Sequence, residues 1–324
     1  MKIQHITLIR LLIASGVALA APTSFACSSC GCTLSSDWDS QGYATVPGGR
    51  IDLRYDFLNQ SELRNGTSGT AKLKPASMSL PSDREIEQGT KNHYVTLGLD
   101  FNAGKNWGVN VQIPYIYRSH ETIAEGDTDI SSSKTSNIGD VKVLGRYLGL
   151  SEEKNFGLQF GLKLPTGSFH DNFSNGPQTG KALDRGLQAG TGSTDLLLGV
   201  FHFAALNQNW DYFAQGNVQL PFSERDGYKT GTSLNANFGL RYMANETVIP
   251  QLQINAKAGH RDSGSDADAE NSGGSLMYIS PGVTVSLSEK LKVFGFLQLP
   301  LYQNVNGVQL APRYTVSLGM RYAM

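Results

Sequence analysis

The chain has 324 residues, with 40% in the hydrophobic set, 17% charged and 36 glycines. That is too apolar and too sparsely charged for a disordered chain, while a mean hydropathy of -0.25 excludes a bundle of membrane-spanning helices and abundant glycine disfavours a helical protein. A formal net charge of -1, from 27 basic against 28 acidic residues, gives no long-range field for nucleic acid.

Residues 1–26 read as a secretory signal peptide. Lys2 and Arg10 form a positive start, Leu11 to Ala21 is apolar but too short to span a bilayer, and Ser24-Phe25-Ala26 offers small residues at a cleavage site. The next segment, 27–48, is expected to be a periplasmic appendage. It holds all three cysteines, Cys27, Cys30 and Cys32. In an oxidising compartment a structural disulfide, Cys27 with Cys30 or Cys30 with Cys32, is the favoured reading. Soft-metal binding or thiol exchange with a periplasmic partner comes next. Acylation of Cys27 ranks lower, because Ser24-Phe25-Ala26 lacks the usual leucine. No other spacing suggests a metal site, and none calls for a cofactor.

From residue 49 to 324 the chain alternates apolar and polar positions in blocks of the length that crosses an outer membrane as tilted strands, roughly 9 to 11 residues. Ile51, Leu53, Tyr55 and Phe57 share one face, with Asp52, Arg54 and Asp56 on the other. Val95, Leu97, Leu99 and Phe101 oppose Asp100, and Trp107 to Tyr117 alternates up to Arg118. Val141, Val143 and Tyr147 oppose Asp140, Lys142 and Arg146, and Phe156 to Leu164 opposes Lys163. Blocks at 196–203, 212–222, 234–242 and 251–258 follow, bringing Asp195, Arg241 and Lys257 to the polar face. Blocks at 277–287, 293–299 and 314–322 close the series with Lys292 and Arg321.

Twelve such blocks, an even number, suit a closed antiparallel barrel with both ends on the periplasmic side. Connections alternate accordingly: long or medium at 61–90, 119–136, 166–192, 223–230, 261–275 and 303–310, short between them. A β-sandwich has no reason to sort its connections this way. The polar face then forms a lumen with nine basic and five acidic residues. It reads either as a rigidifying set of charge pairs or as a mildly anion-tolerant passage partly filled by loops. Aromatic residues near strand ends, among them Trp107, Tyr117, Trp210, Tyr242, Tyr278 and Tyr322, suit interfacial girdles.

Three segments carry a resemblance: Ile138-Gly139-Asp140-Val141-Lys142, Gly161-Leu162-Lys163-Leu164-Pro165-Thr166-Gly167, and Gly190-Thr191-Gly192-Ser193-Thr194-Asp195-Leu196-Leu197. With Leu299 to Gly307 and Leu318 to Tyr322, they resemble the outer-membrane family named after the meta pathway of phenol degradation. The resemblance implies an outer-membrane channel for small, often hydrophobic or aromatic molecules. Its surroundings would be outer-membrane lipid and, during biogenesis, the barrel insertion machinery. The chain ends in Met324 rather than the Phe common in such barrels.

Other chemistry-bearing residues fall in loops. Asp262, Asp266, Asp268 and Glu270 cluster without the spacing of a calcium loop, and the solvated-loop reading is favoured. His120-Glu121, His170-Asp171 and His260 lie near serines, yet no spacing singles out a nucleophile, base and acid, so no enzyme is expected. A docking barrel with a metal- or partner-binding amino terminus is the alternative to a channel.

Overall fold

A computed structural model describes residues 47–69, 84–104 and 106–324. The signal peptide and all three cysteines lie outside the described residues. The elements are β1 Gly48–Gly66, β2 Ser68–Gly69, β3 Ile86–Asn102, β4 Trp107–Ile123, β5 Ser131–Ile138, β6 Val141–Tyr147 and β7 Phe156–Leu164. They continue with β8 Asp195–Ala205, β9 Trp210–Pro221, β10 Ser233–Tyr242, β11 Val248–Gly259, β12 Gly274–Ser286 and β13 Leu291–Ala323. All pairings are antiparallel, and β13 returns to β1 so that the sheet closes without an edge.

Eleven elements form the ring, while β2 and β5 extend it. The long β13 doubles back at Gly307, whose φ of +56° lies in the left-handed region that glycine favours. Its residues 292–305 pair with β12 and 305–323 with β1. The Ala323 N–H donates to the Lys290 carbonyl at 2.8 Å, tying the two limbs together at their far end. Counted as passes through the wall, there are therefore twelve, as the alternation predicts.

Alternation has its physical reason in the two solvents of the wall. Leu53, Leu99, Phe101, Val109, Phe160, Phe238 and Leu318 face outward, each 40% exposed or more. In water so continuous an apolar belt invites aggregation, whereas hydrocarbon matches it. Rings pair at both rims: Trp107 with Tyr147 and Trp210 with Tyr242 near one end, Phe57 with His93 and His93 with Tyr117 near the other. Along β4, the ten steps from Trp107 to Tyr117 at roughly 3.3 Å each, tilted about 45°, span roughly 23 Å of depth, close to the ~25 Å apolar band of such barrels. Tyr278 corrects the girdle assignment. It faces inward at 1% exposure and packs with Leu276 and Val305 beside an irregularity in the β12–β13 register.

Three expected loops are shorter than the alternation suggests. Strands β1, β3, β4 and β5 continue past the belt into stretches assigned above to loops 61–90 and 119–136, and 303–310 is a tight reversal of β13. These extensions lie above the lipid, so their outward faces need no apolar residues. Their inner residues, such as Gln60, Thr90, Asn92 and His120, are buried and cross-linked by hydrogen bonds. One side of the barrel is therefore tall, and the side made by β6, β7 and β8 is low.

Candidate functional site in the barrel interior

Most of the charged residues expected on the polar face lie close to a charge of opposite sign. Asp100, its side chain fully buried, receives Arg146 through two bonds of 2.6 and 2.9 Å and Arg50 at 3.0 Å. Arg54 meets Asp56 at 2.8 Å, Arg321 bonds Asp52, and Arg241 grips Asp211 at 2.7 and 2.8 Å. Partners this close offset the cost of removing these charges from water. Arg50 and Asp211 were missed by the sequence reading although both fit the period of two: Arg50 continues 52-54-56 backward, and Asp211 shares its parity with Gln215 and Gln219.

Uncharged amides fill the opposite wall. Gln215 donates to Gln159 at 2.8 Å, Asn235 to Asn217 at 3.1 Å, Asn255 to Asn237 at 2.8 Å, and Ser280 to Asn255 at 2.6 Å. Three of these links join neighbouring strands and the Gln215–Gln159 bond reaches across β8, so the network stiffens the wall and narrows the interior.

The three segments that carry the family resemblance meet at one point. Lys163 of β7 donates to Asp140 at 2.7 Å and to the Ser193 carbonyl at 2.9 Å, and lies 3.3 Å from Asp195. Asp140, at the break between β5 and β6, also accepts the N–H groups of Gly167 and Thr191 at 3.0 and 3.1 Å. Ser193 completes the cluster by donating to Asp195 at 2.7 Å. Both stems of loop 165–194 are thereby fixed to the wall. Gly167 and Gly190 touch there so closely that a Cβ on Gly167 would lie 2.6 Å from the Gly190 Cα.

Above this anchor the loop folds over the low side of the barrel and into its mouth. Its single 3-10 turn, Arg185–Leu187, precedes Gln188, whose amide donates to the carbonyls of Leu183 and Asp171 at 2.9 and 3.0 Å. From β4, Arg118 reaches the carbonyls of Gly186 and Gln188 at 3.4 and 3.5 Å. The Arg185 guanidinium sits 4.3 Å from the centre of the Phe169 ring and 5.1 Å from that of Tyr228.

Among the described residues, two chambers and a narrow waist follow one another along the interior. An outer chamber of about 230 Å³ is walled by Arg118, Arg185, Tyr94, Tyr228, Thr230, Lys257 and Leu276. A waist of only about 20 Å³ is bounded by Asp52, Arg54, Asn110, Phe294 and Arg321. A second chamber of about 250 Å³ opens where the described chain begins and ends, among Gly49, Arg50, Lys290, Lys292 and Met324. Lys142 lies level with Lys163 on β6, in register with it.

The loop carboxylates divide. Asp262 turns inward to accept the Tyr228 hydroxyl at 2.8 Å and the Gly231 N–H at 2.7 Å. Asp268 is pushed up to about 6, mainly by burial and against the pull of hydrogen bonds from Asn271. Asp184 is also raised well above the carboxylate range, first by burial and then by Glu85, Glu87 and Asp268. The histidines do not converge: His120 bonds Thr90, His170 packs against Phe169, and His260 lines the outer chamber.

These features define a transmembrane β-barrel of outer-membrane type whose interior is partly filled by its own loop. No family model matches the sequence, and no curated protein matches it. Among solved structures, the crystal structure of the COG4313 outer membrane channel from Pseudomonas putida F1 has a TM-score of 0.64 at 13% identity, covering 86% of this chain and 96% of that one. The beta domain of the Bordetella autotransporter Brka has a TM-score of 0.50 at 14% identity, covering 86% of this chain and all of that one. At such identities the likeness is one of fold, and it places the chain among outer-membrane barrels, the architecture that the family resemblance implies.

Proposed function

We propose that the protein is a passive channel that lets small molecules, hydrophobic or aromatic ones among them, cross the outer membrane. The observation that carries this reading is the succession of two chambers of about 230 and 250 Å³ at opposite ends of a closed lipid-facing wall, with a polar waist between them. The P. putida protein of similar fold is itself an outer membrane channel. Diffusion needs no energy coupling, and the reading assigns no chemical step.

The connection lengths support an orientation. The short ones, after β3, β6, β8, β10 and β12, share an end with the chain termini, where the Met324 N–H donates to the Gly49 carbonyl at 3.0 Å. Bacterial barrels keep short turns on the periplasmic side, so both ends are assigned to the periplasm, after export through the 1–26 signal peptide. Loop 165–194 then guards the outer mouth.

Proteoliposomes containing the protein test the reading. Small uncharged solutes should enter faster than into empty liposomes, with a cut-off near the size of a single aromatic ring, and planar bilayers should show discrete currents. Absence of both flux and current for every solute would overturn the proposal.

A further inference from the structure

We infer that the outer chamber is a binding site for a small organic carboxylate carried on an aromatic or similarly flat body. The inference rests on the channel reading and names its cargo class: acidic rather than neutral.

Arginine pairing in this barrel has a rule, and two residues of the chamber depart from it. Arg50, Arg54, Arg146, Arg241 and Arg321 each have a carboxylate within ion-pair distance. Arg118, only 7% exposed, has none among the described residues. Its guanidinium meets neutral oxygens: the Asn92 amide, the Tyr94 hydroxyl at 3.3 Å, and the carbonyls of Gly186 and Gln188 at longer reach. Arg185 is similar. Its Nη2 donates to the carbonyls of Thr191 and Arg225 at 3.0 and 3.2 Å, and its buried Nε has no acceptor. Asp226 and Asp266 act on it through space without forming an ion pair.

A third wall residue points the same way, because the buried Thr230 hydroxyl also lacks a partner. Unmade hydrogen bonds of this kind are costly unless a ligand or water completes them. Lys257 adds positive charge to the same wall, while the acid there, Asp262, is already engaged by Tyr228 and Gly231. The chamber therefore offers donors and cations and spends its acceptor internally, which is the complement of a carboxylate.

Size and surface set the rest of the ligand. A cavity of about 150 Å³ accommodates benzene, so about 230 Å³ suits one ring with a carboxylate and a further small substituent. Tyr94, Tyr228 and Leu276 supply flat and apolar wall against which a ring can lie.

Benzoate and its neutral counterpart benzyl alcohol provide the test, with the full-length mature protein titrated in nanodiscs. Benzoate should bind about tenfold or more tightly than benzyl alcohol. Arg118→Gln and Arg185→Gln should each abolish most of that preference, and Arg118→Lys should retain part of it. Gel-shift on heating verifies that each variant is a folded barrel, and Thr230→Val, which removes a donor without a charge, should weaken benzoate severalfold if Arg118→Gln does not fold. Equal binding of the two probes, or no binding of benzoate, overturns the inference. Liposome flux separates this from the channel reading: neutral solutes that pass with no benzoate preference sink the carboxylate site alone, whereas preferential benzoate binding without flux of any solute upholds the site and sinks the channel.

Discussion

Lys163 donates its ammonium to Asp140 at 2.7 Å, joining the strand before the inward loop to the break in the strand beside it. Asp195, the first residue after that loop, stands 3.3 Å from the same ammonium. One cation thus serves two buried carboxylates and both stems of loop 165–194. Lys163→Met leaves the two acids unpaired, a change that costs about 3–5 kcal/mol where a buried pair is broken. The barrel, sustained by its closed ladder, should persist on heat-shift gels with a lowered melting point. Its loop should become cleavable by protease near Arg185. A variant with unchanged melting point and an uncut loop would show that the cluster anchors nothing.

Phe294 of β13 narrows the waist and is itself wedged over Gly319, where a Cβ would come within 2.2 Å of the ring. Truncation to alanine removes a large buried ring and costs about 3–5 kcal/mol of stability. It also joins the waist to neighbouring space. Single-channel conductance of Phe294→Ala should rise severalfold over wild type. Gly319→Val works in the opposite sense by driving the ring into the lumen, and its conductance should fall. Identical conductance in all three proteins would remove the waist as the limiting section.

How much of this was legible in the residues depended on which solvent each face meets. Leu53 against Asp52 announces a wall between lipid and lumen, because hydrocarbon enforces an apolar residue at every second position. Above the lipid that demand vanishes. The extensions through Leu63, Thr90 and His120 therefore read as loops, although they remain paired strands. Inward charges were visible individually, yet that Asp140, Lys163 and Asp195 would share one point depends on strand register, which a period of two does not specify. The amide ladder from Gln159 to Asn255 carries no charge to draw notice. Tyr278 misleads for a related reason: an aromatic near a strand end suits a girdle or a core equally, and only its parity with Leu276 turns it inward.

Protonation couples to the outer loops through Asp268. Its folded value, about 6, lies above the ordinary 3.8, chiefly through burial. Below pH 3.8 the neutral form is present folded or unfolded and packing is unopposed. Between 3.8 and about 6 the unfolded chain releases the proton more readily, so stability falls as pH rises through that window. Solvent screening of this half-buried group limits the effect to about 1 kcal/mol. Asp268→Asn keeps an oxygen for the Asn271 N–H and removes the titration. The variant should melt with wild type at pH 4 and above it at pH 7.5. A gap independent of pH would contradict the assignment.

Gly167 and Gly190 offer a test of the loop stems that leaves every charge in place. The approach is backbone to backbone: a Cβ on Gly190 would lie 2.2 Å from the Gly167 carbonyl oxygen, and one on Gly167 2.6 Å from the Gly190 Cα. No rotamer relieves either contact, so alanine at one position must push the stems apart. Displacing them pulls Gly167 and Thr191 N–H groups away from Asp140, which then loses two of its donors. Gly190→Ala should accordingly reproduce the protease sensitivity of Lys163→Met with all ionisable groups intact. Combining the two should add little, because both act on one anchor and coupled sites are not additive. If the double variant instead loses the full sum of the single effects, the glycine contact and the Lys163 cluster restrain the loop independently.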